Sequence, residues 1–525
     1  MIKYDHEVVV IGAGPGGVAA AHDLLKNGIT DFVILERRDD FGGTWRDNHY
    51  PGLEVDIPSI WYQFSFARKP DWSRLFAPGP EINQYIRSVA RDLGLYDRLR
   101  TGAEVLREVW DDQLCVWRLE MKDNSKITTR YVISAVGAYR NTKETLTIDG
   151  VQDFRGVIMR PNNWDNTYDV ADKRIAVIGT GSSGVQIAGA VAAVSRTLDV
   201  YQRTPSWVLP KVDFDLPPAV HFLFRMPGVM ALLNIIGRWM FDIALVGPLV
   251  HLLPRLPDKT LIAVMPFYDM WCRTLYRLLV RFVVRDREAR KALVPTYGIL
   301  AKRPVVSSRY MPIFNKATTN LVTAPIKRIT PTGIETVDGI ERPADIIVMA
   351  TGYEVFTDPE TYRPNTVVGR EGFDLAQYYQ REGLRSYAGT CHPDLPNRWD
   401  ITSPIGFTGL AWFDYLETNV RHAVRIIAES RRRSSRTVSV RGSVFAEWNL
   451  RMQRQGKAIR LYTIDCNPGL STYFINSQNE VVYWRPEMIT TARRFSRSSP
   501  LTDYEFARRS QSGTYVRSDA RATPA

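Results

Sequence analysis

Residues 6–36 read HEVVVIGAGPGGVAAAHDLLKNGITDFVILE. The apolar run Val8 to Ile11 fits a strand buried on both faces of a parallel sheet. Gly12, Gly14 and Gly17 follow at G-x-G-x-x-G spacing, and the chain then reads as a helix and a second strand. Glycines so placed allow a tight turn, a close approach of backbone to a pyrophosphate, and close packing of helix on strand. The free N–H groups of the helix's first turn then face the phosphates. Glu36 ends the second strand roughly 20 residues on, where a carboxylate accepts both hydroxyls of an adenosine ribose. Strand, glycines, helix and acid in that order predict a dinucleotide-binding unit.

The unit recurs at 173–205, KRIAVIGTGSSGVQIAGAVAAVSRTLDVYQRTP. Gly179, Gly181 and Gly184 repeat the spacing, but Arg203 and Thr204 stand where the first unit has its acid. A guanidinium there suits a 2′-phosphate, bidentate and charge-assisted. The first site therefore reads as one for an adenosine diphosphate with a free ribose, as in FAD, and the second as one for NADPH. Together they predict an α/β fold with two Rossmann-like domains.

Working outward, 525 residues exceed a single hydrophobic core. An apolar share of 45% against 24% charged residues excludes wholesale disorder. The net charge of +12 favours anionic ligands or an anionic surface. Nucleic acid is set aside as a partner, because the arginines are spread along the chain and no nucleic-acid module is recognisable. Cys115, Cys272, Cys391 and Cys466 lie far apart, without CxxC or metal-ligand spacing. They read as reduced thiols of a cytoplasmic protein. The start MIKYDHEVVVIGAG lacks signal-peptide architecture.

Strand-like runs at 130–140 and 344–355 carry the chain out of the first nucleotide domain and back. The expected division is a discontinuous FAD domain (1–145 and 340–495) around an NADPH domain (146–339). A helical insert is expected at about 210–298, and 496–525, rich in Ser, Arg and Thr, as a disordered tail. Apolar residues at three- and four-residue spacing make the insert amphipathic, suited to packing on the NADPH domain, lining an apolar pocket, or touching a membrane. Its most apolar part, 228–254, is interrupted by Arg238 and Asp242, so no transmembrane segment is expected. SPIGFTGLAWF (403–413) reads as a glycine-containing turn before a long helix, whose N-terminus can stabilise negative charge on an electron-rich ring.

The stretch GGTWRDNHYPGLEVD (42–56) narrows the field. It resembles the second fingerprint of the type I Baeyer–Villiger monooxygenases, with Gly43, Trp45, Tyr50, Pro51, Gly52 and Asp56 at matching spacing. The resemblance extends through both glycine motifs, YQRTP (201–205), AKRP (301–304) and ATGYEV (350–355), and covers most of 5–490. Disulfide reductases of similar architecture need a redox cysteine pair, which this sequence lacks.

The resemblance implies that NADPH reduces FAD, that O2 is activated on the flavin, and that one oxygen atom enters beside a ketone carbonyl. The product is an ester or lactone. It also implies roles for particular residues. Arg303 is the active-site arginine, a permanent cation beside a negatively charged oxygen nucleophile. Lys302 joins it on the 2′-phosphate, and Asp56 orients the arginine and touches the flavin and nicotinamide region. Thr44, Trp45, Tyr62 and Val105 contact FAD, while Thr180, Gly181, Ser182, Ser183, Gly184 and Gln186 belong to the NADP pyrophosphate loop. Taken singly, Asp56 also fits the start of a turn and Arg303 an exposed strand residue; their coincidence with both fingerprints favours the functional reading.

FRGVIMRPNNWD (154–165) departs from the family pattern at one position, with Arg160 where histidine is usual. In the resembled family this segment lies at the join of the two domains. Arginine keeps a donor but is larger and always charged, so altered coupling of coenzyme binding to oxygenation is expected, with the reaction class unchanged. Two alternatives stay open: a flavin monooxygenase acting on nitrogen or sulfur, and a non-oxygenating NADPH-binding flavoprotein, either a sensor or an uncoupled oxidase. Substrate identity, beyond a hydrophobic small molecule, and oligomeric state are not legible in the sequence.

Overall fold

The structure, a computed structural model, describes residues 4–142, 148–509 and 515–517. The first glycine unit folds as its pattern predicts: strand His6–Ile11, helix Pro15–Lys26, strand Phe32–Leu35. The helix starts on Gly14 with Pro15 at its first position, where the missing N–H is not needed. His6–Ile11 pairs in parallel with Phe32–Leu35 on one side and Lys126–Ser134 on the other, at the heart of an eight-stranded sheet. One face of this sheet is covered by Pro15–Lys26 together with the long, largely buried helix Trp412–Arg432.

The second unit builds a separate five-stranded sheet, parallel throughout. Its order is Thr319–Val322, Thr197–Tyr201, Arg174–Ile178, Ile346–Met349, Val157–Met159. The α/β fold with two Rossmann-type halves is therefore present. In both units the third glycine is enforced by contact. A Cβ on Gly17 would lie 2.0 Å from the Gly12 carbonyl oxygen, and one on Gly184 2.0 Å from that of Gly179.

Two expected boundaries need correction. Ile346–Met349, placed by the sequence reading in the FAD domain beginning at 340, is instead a central strand of the second sheet. Its residues are fully apolar and buried, and such a run cannot show which of two parallel sheets it joins. The chain returns to the first half just after it, through Tyr353–Val355 paired antiparallel with Tyr139–Thr142.

The tail expected from 496 is also revised. The helix Ile489–Ser498 and the strand Tyr504–Arg509 are formed, and the strand pairs antiparallel with Thr437–Val440. Tyr504 and Phe506 are buried in the main core, and the Asp503 carboxylate accepts from Tyr387. A strand of this length is held by its partner and its two aromatics, and the polar composition around it concealed that. Residues 510–514 and 518–525 of the expected tail lie outside the described residues.

Between Thr197–Tyr201 and Thr319–Val322 the chain inserts helices from Pro218–Arg225 to Arg287–Ala292. The longest is Asp258–Val283, with π-helical turns at Asp242–Val246 and Pro248–Leu252 preceding it.

A chain ending at Ser499 should melt several degrees lower than the full protein, because it loses two buried aromatics and a strand of the edge sheet. The loss is read by thermal unfolding of the flavin-loaded protein. An unchanged midpoint would show that the strand contributes nothing to the first half.

Candidate active site

The first glycine turn opens onto a cavity of about 340 Å³. Gly12, Gly14, Glu36, Thr44, Trp45, Tyr62 and Val105 all line it, so one wall gathers residues scattered over nearly a hundred positions of sequence. Gly17 stands behind the wall, against Gly12. Gly14 has its backbone against Gly43: a Cβ on Gly43, at φ +56°, would come within 2.8 Å of the Gly14 Cα. The Glu36 carboxylate is pinned by the backbone N–H of Ala13 at 2.7 Å and of Arg38 at 2.9 Å. Each oxygen keeps a second acceptor site toward the cavity. The Trp45 indole donates to the Tyr62 hydroxyl at 3.0 Å, and the Tyr62 ring meets Phe413 edge-on. Burial raises the Tyr62 phenol well above its ordinary range, so it stays neutral.

The sequence reading missed the opposite wall, built by Ala135 to Tyr139, Asn141, Thr402, Trp412 and Leu416. Its sequence signals were the strand-like run at 130–140 and the glycine-containing turn before 412, neither of which was read as lining a site. The helix Trp412–Arg432 does begin at this cavity.

In the second half, Gly179 takes φ +109° and Gly181 caps the helix Ser182–Val191. A Cβ on Gly181 would meet nothing within 4 Å, so the helix N-terminus is open. Thr180 is held by its hydroxyl to the Thr204 carbonyl at 3.2 Å, and its own carbonyl accepts from Ser206 at 2.6 Å. The exposed Arg203 and half-buried Lys302 stand near one another, and neither makes an ion pair among the described residues. Burial, then the neighbouring Arg203 charge, lowers the Lys302 amine below its ordinary value. The two like charges repel, and an anion between them would relieve that repulsion.

The loop 50–56 crosses from the first half to the second. Gly52, at φ +79°, lies against the helix Ser182–Val191, where a Cβ would come 2.8 Å from the Gln186 carbonyl oxygen. The Tyr50 hydroxyl donates to Gln186 Oε1 at 2.9 Å and lies 3.3 Å from the Ser183 hydroxyl, and Gln186 Nε2 donates to the Glu54 carbonyl at 2.9 Å. Gln186, read from the sequence as part of the pyrophosphate loop, thus has both ends of its amide engaged on the 50–54 loop. Lys211, only 4% exposed, pairs with Glu54 at 2.8 Å and donates to the Val55 carbonyl at 3.2 Å. Neither Lys211 nor Glu54 stood out in the sequence.

The crossing ends on Asp56, whose two oxygens lie 2.8 and 2.7 Å from Nη2 of Arg303. The Asp56 carboxylate holds the guanidinium far above its already high ordinary pKa, against the pull of burial. Tyr139, Tyr473 and Tyr483 surround the pair, and Tyr139 also lines the cavity. A permanently charged, oriented cation therefore sits beside a residue that lines the first cavity.

The segment carrying Arg160 also lies at the join. Val157–Met159 is an edge strand of the second sheet, Arg160 and Asn163 close a turn, and Trp164 is buried in the second core. Asn162 and Asn163 face Arg38, Asp47 and His49 of the first half across a cleft, and the Asn166 amide lies 2.9 Å from His49 Nδ1.

Known proteins share this sequence pattern and fold. A "Baeyer-Villiger monooxygenase" of Streptomyces coelicolor is 31% identical over 504 residues, covering 95% of this chain and 92% of that protein. One of Pseudomonas aeruginosa is 31% identical over 86% of this chain and 82% of its own length. Residues 9–221 match the family described as pyridine nucleotide-disulphide oxidoreductase, which shares the two-nucleotide scaffold. Among solved structures, an oxidized steroid monooxygenase bound to NADP superposes with a TM-score of 0.81 at 24% identity, over 95% of this chain and 99% of that one. An OTEMO complex with FAD and NADP gives 0.82 at 20% identity, over 96% and 100%. The chain is thus a flavin-dependent monooxygenase. It belongs to the Baeyer–Villiger monooxygenases.

Lys211→Met should destabilise the protein by about 3 kcal/mol, since it leaves a largely buried carboxylate without its partner. Adding Glu54→Gln should restore part of that loss, measured as a double-mutant cycle in denaturant midpoints. Strict additivity of the two changes would show that the pair does not tie the halves together.

Proposed function

We propose that the protein uses FAD and NADPH to insert one oxygen atom of O2 beside the ketone carbonyl of a hydrophobic substrate. The observation that carries this reading is the Asp56–Arg303 pair, held where the two nucleotide units meet.

The residues present fit both cofactors. At the first turn, the close approach of Gly14 and Gly43 leaves only backbone on the side a pyrophosphate would take, and Glu36 retains acceptors for a ribose. At the second, Gly181 leaves the helix N-terminus clear, with Arg203 and Lys302 beside it to take a 2′-phosphate. Bound FAD would accept hydride from NADPH and activate O2. Thr44, Trp45, Tyr62 and Val105 would hold it, and Thr180, Ser182, Ser183 and Thr204 would hold NADPH.

The chain's own contribution to the chemistry is electrostatic. A nucleophilic oxygen must stay anionic to attack a carbonyl, and a guanidinium supplies its counter-charge at any working pH. Asp56 aims that guanidinium and keeps it from swinging into solvent. The neutral phenols of Tyr139, Tyr473 and Tyr483, all pushed well up by burial, give the pair a polar but uncharged surrounding. Cys272, Cys391 and Cys466, none in a disulfide, support a cytoplasmic location for this NADPH-using enzyme.

The reaction is tested by screening ketones, with a thioether beside them, while NADPH loss and hydrogen peroxide are followed. Arg303→Ala should keep its yellow FAD and lose ketone oxygenation by at least about a hundredfold. Arg303→Lys should be poor as well, because an ammonium lacks the planar fork. Normal ester or lactone formation in Arg303→Ala would remove the residue from this role.

For coenzyme choice, the unmodified protein should prefer NADPH to NADH. Arg203→Ala should raise the KM for NADPH about tenfold and leave use of NADH nearly unchanged. Equal efficiency of the two coenzymes in the unmodified protein would contradict the 2′-phosphate assignment.

A further inference from the structure

The helical insert presents an apolar surface that no other described part of the chain covers. In Asp258–Val283, Val264, Phe267, Trp271, Leu275, Leu278 and Phe282 recur at steps of three and four and are all exposed, Phe282 to 87% and Phe267 to 68%. The opposite face of the same helix, with Leu261, Asp269, Tyr276 and Val280, is buried. Val229–Phe241 repeats the pattern: Leu232, Ile235, Ile236, Trp239 and Met240 form an exposed stripe, continued by Ile243. A helix packed on one face needs no apolar residues on the other, and monomeric proteins rarely leave so much contiguous apolar surface to water.

Charge says what covers it. Between 217 and 298 the sequence has eleven Arg and Lys against five Asp and Glu, in a chain of net charge +12. Arg277 and Arg281 stand exposed on the same helix as the Phe267–Phe282 stripe, and exposed Arg285 follows its end. Apolar and aromatic side chains with a basic rim match the boundary between acyl chains and anionic headgroups. A second copy of this chain, related by a twofold axis, would bring that rim against itself.

The helical stretch Val229–Arg255, 27 residues that include an 18-residue window of mean hydropathy 1.7, is long and apolar enough to cross a membrane by length and composition. Its inner face shows otherwise. Arg238 is paired with Asp414 at 2.9 and 3.0 Å, and the Asp242 carboxylate accepts from the N–H groups of Ile489 and Thr490 at 2.7 and 2.9 Å. Gly237 lies flush against Leu410 and Trp61. A helix pinned to protein along one side by buried charges cannot be surrounded by lipid.

We propose that the exposed face of the insert, on Val229–Phe241 and Asp258–Val283, docks the protein onto an anionic lipid bilayer, lying in the interface without crossing it. This docking does not depend on the reaction assigned above.

The test is co-sedimentation of the full-length, FAD-loaded protein with vesicles of phosphatidylglycerol and phosphatidylcholine, against phosphatidylcholine alone. Anionic vesicles should pellet at least about tenfold more protein, and roughly 0.5 M salt should weaken the binding. The triple variant Trp239→Ser, Phe267→Ser, Trp271→Ser should lose about tenfold of the binding while keeping its flavin, melting temperature and NADPH oxidation. Alkaline carbonate should release bound protein from the vesicles. Equal binding to uncharged vesicles, or undiminished binding by the triple variant, would overturn the proposal. So would resistance to carbonate, which marks a spanning helix. Absence of vesicle binding together with a dimer that the same substitutions dissolve would give the face to a second copy instead.

Discussion

A carboxylate from one half of the molecule meets a guanidinium from the other, and the site exists only where they meet. Asp56 ends the crossing loop of the first half; Arg303 follows the helical insert of the second. Both side chains are partly buried. Together they fix a cation whose charge does not vary over any working pH. The loop that delivers Asp56 is held by contacts that tolerate little change: Gly52 flush on the helix Ser182–Val191, the amide of Gln186 bonded at both ends, and Lys211 buried against Glu54.

The remaining charges are ordered around that pair by what they lack. Arg303 has a carboxylate; Arg203 and Lys302 have each other. An anion bound there would offset their repulsion, and the open helix start at Gly181 would add its own partial positive charge. Glu36 supplies the contrast at the first turn, where a pinned carboxylate would repel a phosphate and accept hydroxyls. One scaffold is thus used twice, with opposite charge after the second strand: Glu36 in the first unit, Arg203 in the second.

The helical insert obeys a different constraint. Its inner faces complete the second core and brace the start of the helix Trp412–Arg432 through Arg238 and Asp414. Its outer faces are as apolar as its inner ones. The two demands are met by the same helices because a 3.6-residue period lets two apolar stripes run side by side on one cylinder.

Local pattern was enough for the parts that are local. The two glycine units, the acid at 36 and the arginine at 203 are short runs readable from spacing and side-chain type, while 42–56 and 302–303 were legible through the family resemblance; Gly12, Gly14, Glu36, Thr44 and Trp45 do line one cavity. Tertiary structure decided what depends on distant partners. Ile346–Met349 is an apolar run that suits either sheet, and only its neighbours assign it to the second. Tyr504 and Phe506 sit in a polar stretch, and only the strand Thr437–Val440 makes them core. Lys211 and Glu54 are 157 positions apart and carry no motif, yet they tie the halves together. A sequence states which residues can make a contact; which of several satisfactory partners is met depends on how the whole chain closes, and that is settled only by the sum of its packing.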